Sequence, residues 1–284
     1  MLFAVLAAFA SAACFAVGSA MQQRVAGAAS ADEESRRGFL VRIAQRPSWL
    51  LGLLLSAVAF ALHALALSRG DLALVQPVIV SGIVFAVLLR SGLERRLPPR
   101  RTLVWLVLTW VGLALFLGVH PDGADRALHL GRAVVFVVAG VLVVAGAVVV
   151  SLRTDVERRR GALLGGAAGL LFGLVAGLVK VVLTQARSGW SEVFTSWPVW
   201  TLALVGLCAV LLNQRAYQAT RLSVTAPVLN VVQVLVAIAF GFVVLGETGG
   251  LSTGTVVAQA IGLAVMIAGV IRLASSGPSD ARAD

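Results

Sequence analysis

The sequence predicts an all-α polytopic membrane protein with nine transmembrane helices, and three observations carry that prediction. Of the 284 residues, 59% are hydrophobic and 13% are charged, too few polar side chains to cover a soluble domain of this length. Apolar runs of about twenty residues recur along the chain, each long enough to cross a hydrocarbon core. These runs also lack the period-two alternation of barrel strands, so their backbone polar groups must be satisfied within helices.

Nine apolar runs are predicted to span the membrane. The first has no basic segment before it and is too long for a signal peptide, so we expect it to remain as a helix. The predicted spans are 2–22, 48–67, 72–90, 102–119, 131–151, 161–184, 197–213, 223–245 and 254–273.

Positive charges alternate between the two sides of the predicted helices. Of the 23 Lys and Arg residues, 18 fall in every second connection or the C-terminal region, four fall in the alternate connections, and Lys180 lies inside a span. Cytoplasmic loops are enriched in Lys and Arg. This distribution therefore predicts a protein of the cytoplasmic (inner) membrane with its N-terminus outside the cell membrane and its C-terminus on the cytoplasmic side. The net charge of +10 is therefore interpreted as a topology signal, and no nucleic-acid partner is expected.

The third and eighth spans begin with similar sequences, and this similarity predicts an internal repeat. Residues 72–78 read Leu-Ala-Leu-Val-Gln-Pro-Val, residues 222–228 read Leu-Ser-Val-Thr-Ala-Pro-Val, and Glu94 and Glu247 follow the two apolar runs. An offset of five spans places equivalent helices in opposite orientation, so helices 1–4 and 6–9 are predicted to form an inverted repeat around helix 5. The predicted units are residues 1–130, 131–151 and 152–274, followed by a cytoplasmic tail at 275–284.

Two prolines occupy the same place in the predicted halves. Pro77 and Pro227 lie one to two turns inside their helices, where proline removes a hydrogen bond and frees a carbonyl. In lipid that carbonyl needs a partner or a water-lined cavity. Pro77 and Pro227 are therefore predicted kink and gating positions, with a simple packing kink as the alternative.

At these residues the chain resembles the drug/metabolite transporter (DMT) superfamily of EamA-like proteins. Within it the chain is most similar to the NIPA-type branch, whose eukaryotic members are described as magnesium transporters. The resemblance covers nearly the whole chain and implies the inverted-repeat fold and a transport function. Where the family has a cluster of lysines in its first helix, this chain has Gln22-Gln23-Arg24. The stretches that carry the likeness are 15–24, 68–77, 177–180, 212–216 and 223–227, with Glu94 and Glu247 closing the third and eighth helices.

Polar side chains inside the spans are costly in lipid and therefore mark candidate sites. Every Asp and Glu falls in a loop or at a helix end, which weakens the case for a dehydrated divalent cation or a membrane carboxylate relay. We expect no catalytic residues, no cofactor and no metal site. The predicted substrate-binding residues are Gln22, Gln76, Lys180, Asn213, Asn230 and Gln233.

Several of these side chains have competing interpretations. Lys180 lies near the end of its span, so its ammonium group can reach the interface, bind or gate a solute, or pair with another helix. Facing a cavity, it would favour an anionic or zwitterionic solute over a bare cation. Asn230 and Gln233 share a helix face and either bind solute or join helices. His63 is expected to be a packing residue rather than a proton relay.

The leading functional hypothesis is a secondary transporter that moves a small polar metabolite or amphiphile by alternating access. The alternatives are a NIPA-like transporter of magnesium or another divalent cation, a translocator of a lipid-linked intermediate, and a structural membrane subunit. An enzyme is not expected, because the sequence lacks paired carboxylates, a nucleophile with its base, or a metal cluster at a membrane face. The expected partners are the solute or ion and the lipid bilayer, and the sequence leaves a monomer and a homodimer open.

Overall fold

The computed structural model of the chain describes residues 1–29, 46–95, 97–119, 128–187, 189–219, 222–247 and 252–275. Within these ranges all regular secondary structure is helical, and nine segments are long and apolar enough to cross a membrane. The prediction of an all-α multi-pass membrane protein is confirmed. Apart from Ser275, the predicted tail lies outside the described residues.

The helices follow the predicted spans closely, and several continue beyond them into polar sequence. The largest early start is that of the sixth span, where the helix includes the polar turn Glu157–Arg160 before its apolar run. The helices are α1 (Leu2–Ala29), α2 (Pro47–Arg69), α3 (Leu72–Val80), α4 (Gly82–Glu94), α5 (Arg100–Gly118), α6 (Leu130–Leu152), α7 (Glu157–Gln185), α8 (Trp190–Thr195), α9 (Trp197–Ala219), α10 (Leu222–Leu245) and α11 (Thr253–Ser275).

The third span is two helices rather than one. It is interrupted at Ser81, four residues after Pro77, where the Ser81 N–H donates to the Pro77 carbonyl at 3.1 Å and its hydroxyl donates to Val78 O at 2.6 Å. Pro77 has no N–H to donate, so the helical carbonyl that it leaves free is that of Ala73, four residues earlier. The bonds at Ser81 instead close the last turn of α3. Pro227 lies inside α10, which continues unbroken. The two prolines therefore share a sequence position but not a helix interruption.

The two ends of the bundle can be told apart by contacts. Gly70 and Asp71 form the short turn between α2 and α3, and the start of α1, the end of α7 and the end of α10 all reach it. The start of α6 is joined to the end of α10, because the His129 N–H donates to Val244 O at 3.0 Å. We call the end of the bundle that holds Gly70, Asp71 and these contacts the turn end. We call the opposite end the arginine end, after the arginines at residues 95–101 and 153–160.

Helix α7 is the centre of the bundle. In its most apolar stretch 67% of the residues are buried, against 17% in α6 and in α9. It packs on α9, α10 and α6, and also touches α2 and α3. Peripheral α6 instead exposes large aliphatic side chains such as Val135 and Leu142, which in a membrane face lipid.

Glycines set the closest helix–helix approaches. Gly165, Gly169, Gly173 and Gly177 form one face of α7, and α10 lies directly against it: a Cβ at Gly165 would be 2.9 Å from Thr225 O, and one at Gly173 would be 2.9 Å from Gln233 O. Small residues let two backbones approach in this way, where packing rather than water exclusion drives association.

Helices α5 and α11 make a second close contact of the same kind. A Cβ at Gly112 would lie 2.6 Å from Gly262 O, and one at Gly262 would lie 2.8 Å from Gly112 O. The two backbones therefore touch without intervening side chains, and a larger residue at either position would push the helices apart.

The glycine face of α7 makes a testable prediction about stability. In Gly169→Ala, the new methyl group would lie 3.0 Å from the Leu229 Cα and closer still to its carbonyl oxygen. Backbone atoms cannot move aside, so we expect thermal unfolding in detergent to show a loss of about 1–3 kcal/mol.

The matched control is Gly146→Ala on α6, where an added Cβ would meet nothing within 4 Å. Alanine favours helix over glycine by roughly 0.5–1 kcal/mol, so this variant should be unchanged or slightly more stable. Equal losses in both variants would contradict the packing argument.

Candidate functional site

Lys180 lies at the turn end, in contact with the end of α2. Its side chain is only 4% exposed, and its ammonium group donates hydrogen bonds to Leu67 O at 2.5 Å and to Gly70 O. The last carbonyls of a helix have no partner within the helix and carry the negative end of its dipole. A buried ammonium group is therefore well placed there, and it holds α7 against α2.

The sequence breaks the chain sharply between α2 and α3. Gly70 ends α2 in an extended conformation, with its N–H donating to Ala66 O at 2.8 Å. Glycine is needed because a Cβ at this position would lie 2.6 Å from the Ala4 side chain of α1. Asp71 precedes α3 but does not cap it with its side chain, so the first N–H groups of α3 require another acceptor.

That acceptor is Glu247, which follows α10. Its Oε1 accepts from the Leu72 N–H at 2.8 Å and its Oε2 from the Ala73 N–H at 3.1 Å, and the residue is only 5% exposed. The carboxylate lies against Gly241, where any Cβ would collide with it, and the Glu247 N–H donates to Gly241 O at 3.1 Å. A carboxylate at a helix N-terminus also interacts favourably with the helix dipole.

Asp71, Lys180 and Glu247 form one buried group of charges. Asp71 is 5% exposed. Burial raises the pKa of the Glu247 carboxyl above its usual value of 4.5, and the negative charge of Asp71 raises it further. The N–H groups of Leu72 and Ala73 and the charge of Lys180 oppose this shift without cancelling it. We call the three side chains, with the carbonyls of Leu67 and Gly70 and the N–H groups of Leu72 and Ala73, the latch.

Further contacts surround the latch at the turn end. The Arg187 guanidinium donates to Ser68 O, and Arg69 lies over the Phe3 ring at 5.6 Å. On the other side of α10, the Arg132 guanidinium donates to Val243 O at 3.5 Å. Side chains from α7, α2 and α6 thus tie neighbouring helices together at the turn end.

A polar pair lies about one turn deeper than the latch. Gln76 follows Leu72 by four residues and His63 precedes Leu67 by four, and the Gln76 Nε2 lies 3.2 Å from the His63 Nε2. If the amide donates, the ring Nε2 accepts and the imidazole proton is on Nδ1. The Gln76 side chain is fully buried, and its Oε1 has no partner in the described part of the chain.

The structure places the predicted site residues at different depths. Gln76 and Lys180 lie near the turn end, whereas Gln22 and Asn213 lie toward the arginine end of their helices. Gln22 donates from Nε2 to Ser56 Oγ at 3.2 Å, and the buried Asn213 Oδ1 has no partner among the described residues. Their role in binding a solute stays a prediction.

Three of the sequence interpretations can be compared with the side-chain positions. Lys180 is buried, and its ammonium group is bonded to the end of α2, so it pairs with another helix. His63 has the hydrogen-bond partner expected of a packing residue, and its role stays a prediction. Asn230 and Gln233 are half-buried on α10, which packs on α7.

Sequence reasoning missed two residues of the latch. Asp71 and Glu247 fall outside the apolar runs, and that position predicts loop or helix-end carboxylates. The fold buries both beside Lys180. The available signal was the position of Asp71 in a two-residue connection and of Glu247 directly after an apolar run, because such short connections leave no room to project into water.

Comparison with known proteins finds a relative of nearly the same extent. The chain is similar to an uncharacterized protein of Corynebacterium glutamicum, with 28% identity over 275 residues that cover 96% of this chain and 94% of that protein. No family model matches the chain, and no solved structure matches it.

The latch can be tested through Lys180→Met, which keeps much of the side-chain length and removes the charge. The variant leaves two helix-end carbonyls and two buried carboxylates without their cation, so we expect the free energy of unfolding to fall by roughly 3–5 kcal/mol. Denaturant titration of the purified protein measures it.

Arg187→Met is the matched control, because it removes an exposed cation that also donates to a carbonyl of the α2 end. Exposed interactions of this kind contribute little, so its unfolding curve should stay close to that of the wild type. A Lys180→Met variant as stable as the control would refute the latch.

Proposed function

We propose that the chain is a secondary transporter of the DMT superfamily that moves a small polar metabolite or amphiphile across the cytoplasmic membrane by alternating access. In this proposal the N-terminus is outside, the C-terminus is inside, and the turn end faces outward. Transport, rather than catalysis, is the activity. The structure itself establishes the multi-pass membrane architecture, and the arguments below support the rest.

The latch is the observation that carries the proposal. Lys180 and Glu247 belong to the proposed second repeat, residues 152–274, while their backbone partners belong to the first, residues 1–130. The Arg187 bond to Ser68 O crosses between the same units. In alternating access one end of the solute pathway is closed while the other opens, and the closed end is held by contacts between the two repeats.

Helix packing supports an inverted repeat. In the first proposed unit α1 packs on α2 and on α3 and α4, and in the second the equivalent α7 packs on α9 and α10. Across the units α3 packs on α10 and α5 packs on α11, so two helices each meet their own counterpart. A two-fold axis in the membrane plane would produce this pattern.

The chemistry of the latch suits a gate. When it opens, its ammonium, carboxylates and helix-end groups exchange protein partners for water. Each such hydrogen bond contributes only about 1 kcal/mol net to the stability of the closed form, because hydrogen bonds to water replace it in the open form. Buried ion groups are likewise nearly balanced between pairing and hydration. The closed and open forms can therefore lie close in free energy, which a cycling transporter requires.

The opened latch would present both signs of charge to a solute. Lys180 and the first N–H groups of α3 favour anionic groups, whereas Asp71 and Glu247 favour cationic ones. Gln76 lies one turn deeper, and its amide oxygen, which has no partner among the described residues, is available to accept a hydrogen bond from a solute. This combination favours a small polar or zwitterionic solute over a bare ion.

A divalent-cation transporter is the second candidate, favoured by the burial of two carboxylates at the turn end. Carboxylate oxygens are preferred magnesium ligands. In this version Mg²⁺ would have to displace the Lys180 ammonium from the carboxylates, so millimolar Mg²⁺ alone would change the exposure of the turn end. A metabolite transporter would not respond to it.

The gate proposal predicts reciprocal changes at the two ends. Val75 near the turn end and Thr225 in the first turn of α10 are both fully buried. After Cys14→Ser and Cys208→Ser remove the natural cysteines, Val75→Cys and Thr225→Cys give two variants with a single cysteine each. In Glu247→Ala the first N–H groups of α3 lose their acceptor. We expect maleimide labelling at position 75 to rise about tenfold and labelling at position 225 to fall.

Glu192→Ala is the control, since Glu192 is an exposed carboxylate on α8 near the same end. It should change neither labelling rate. If both sites become more reactive in Glu247→Ala, the variant has only loosened the fold, and alternating access is refuted. If neither changes, Glu247 does not close the turn end.

The pKa of Glu247 predicts how pH acts on the gate. Its raised pKa in the closed form means that the closed form binds the proton more tightly than an open form in which Glu247 is hydrated. Protonation therefore stabilises the closed form fully at a pH below 4.5, the usual pKa of the carboxyl, and this stabilisation is lost as the pH rises through the raised pKa of the closed form. Labelling at position 75, relative to an exposed Ser252→Cys reference, should therefore increase with pH.

Glu247→Gln replaces the ionisable group by a neutral one of the same shape. The pH dependence of labelling at position 75 should disappear in this variant, while labelling stays slow. The other charged groups around Glu247 are Asp71 and Lys180, and Arg132 on α6 and Arg187 just after α7 lie at the same end. If the pH dependence survives Glu247→Gln, one of these groups and not Glu247 is responsible.

A further inference from the structure

A cleft opens at the arginine end, between the last turn of α6 and the first turns of α7. Its volume is about 500 Å³, within the range of roughly 300–1,000 Å³ typical of small-molecule sites. The residues that line it are Val150, Thr154, Arg159, Ala162 and Leu163.

The connection between the two helices forms the cleft. Helix α6 ends at Leu152, where the Arg153 N–H donates to Val150 O at 3.1 Å, and α7 begins at Glu157. The connecting residues 154–156 are non-helical, which separates the two helix ends. Ala162 has a small side chain, so the wall on the α7 side is set back and the space between the helices stays open.

The lining of the cleft is amphipathic. Val150, Ala162 and Leu163 contribute apolar side chains to the lining, while Thr154 and Arg159 contribute side chains that donate hydrogen bonds. Arg159 is one of four exposed arginines in residues 153–160, against two carboxylates, so this segment has a formal net charge of +2. An anionic group is therefore the favoured occupant beside these donors.

The surroundings indicate where that anion comes from. Val150 is 53% exposed, and Leu152 and Val156 beside it are 70% and 54% exposed. Side chains this apolar on the outside of a membrane bundle face lipid, and the +2 segment lies where the apolar surface ends. The cleft is thus complementary to an anionic phospholipid, because groups that can bind an anionic headgroup lie next to an apolar surface that continues along α6.

We propose that this cleft binds the headgroup of an anionic phospholipid. Arg159 pairs with the phosphate through its planar guanidinium, Thr154 donates a hydrogen bond to it, and the acyl chains lie along the exposed face of α6. The remaining arginines of the segment add attraction to an anionic leaflet. The site is on the periphery of the bundle and away from the latch, so it does not depend on the proposed transport function.

The test compares short-chain phosphatidylglycerol with phosphatidylcholine of the same chain length, added to the purified protein in detergent. Both lipids have a phosphate, but only phosphatidylglycerol carries a net negative charge. We expect phosphatidylglycerol to raise the thermal midpoint more than phosphatidylcholine does. In Arg159→Gln the apparent affinity for phosphatidylglycerol should weaken by about tenfold or more, because a charge-assisted pair is lost.

Two further variants separate a specific site from general attraction. Arg100→Gln removes an exposed arginine at the same end that does not line the cleft, and it should leave the affinity unchanged. Ala162→Phe fills the cleft without changing charge and should abolish the shift. Its thermal midpoint without lipid shows whether the variant folds, and if it does not, the comparison of Arg159→Gln with Arg100→Gln decides.

Three results would overturn the proposal. They are an equal response to the two lipids, an equal loss in Arg159→Gln and Arg100→Gln, and full protection by inorganic phosphate alone. The last would mean that the cleft takes a free anion and has no use for the acyl chains.

Discussion

Helix ends buried away from water need partners, and at the turn end of this protein that need organises everything nearby. Helix α2 ends and α3 begins within two residues, so unsatisfied carbonyls and unsatisfied N–H groups lie side by side. The chain satisfies the carbonyls with the ammonium group of Lys180 and the N–H groups with the carboxylate of Glu247. Both come from the other half of the sequence, and the short turn is therefore one place where polar groups join the two halves.

Glycine packing and the latch hold the bundle in different ways. At the contacts of α7 with α10 and of α5 with α11, backbones touch over several turns, and nothing in these contacts can be exchanged for water. The latch consists of charged and polar groups whose bonds water can replace at small net cost. A motion that opens the turn end would therefore break the latch first and carry the glycine-packed pairs as rigid units.

The sequence was sufficient to predict the architecture, because hydropathy and run length report directly on the bilayer. The structure adds that α10 covers the glycine face of α7. The latch was beyond reach for a physical reason. Lys180 and Glu247 bond to backbone atoms, which every residue possesses, so no complementary motif marks their partners. Asp71 and Glu247 lie outside the apolar runs, which is typical of hydrated carboxylates. The interruption of the third span lies at Ser81 and Gly82, within the predicted span 72–90.

The use of backbone atoms as partners has a consequence for how this protein can vary among its relatives. A pair of oppositely charged side chains tends to change together, because each needs the other. Lys180 and Glu247 need only a helix end at the right place, so Leu67, Leu72 and Ala73 can be replaced by other apolar residues while the bonds persist. Substitutions at Leu67, Leu72 and Ala73 would therefore be uncorrelated with those at positions 180 and 247. Methods that infer contacts from paired substitutions would not detect these hydrogen bonds between the halves of the molecule, and only the charge of Asp71 would couple to them.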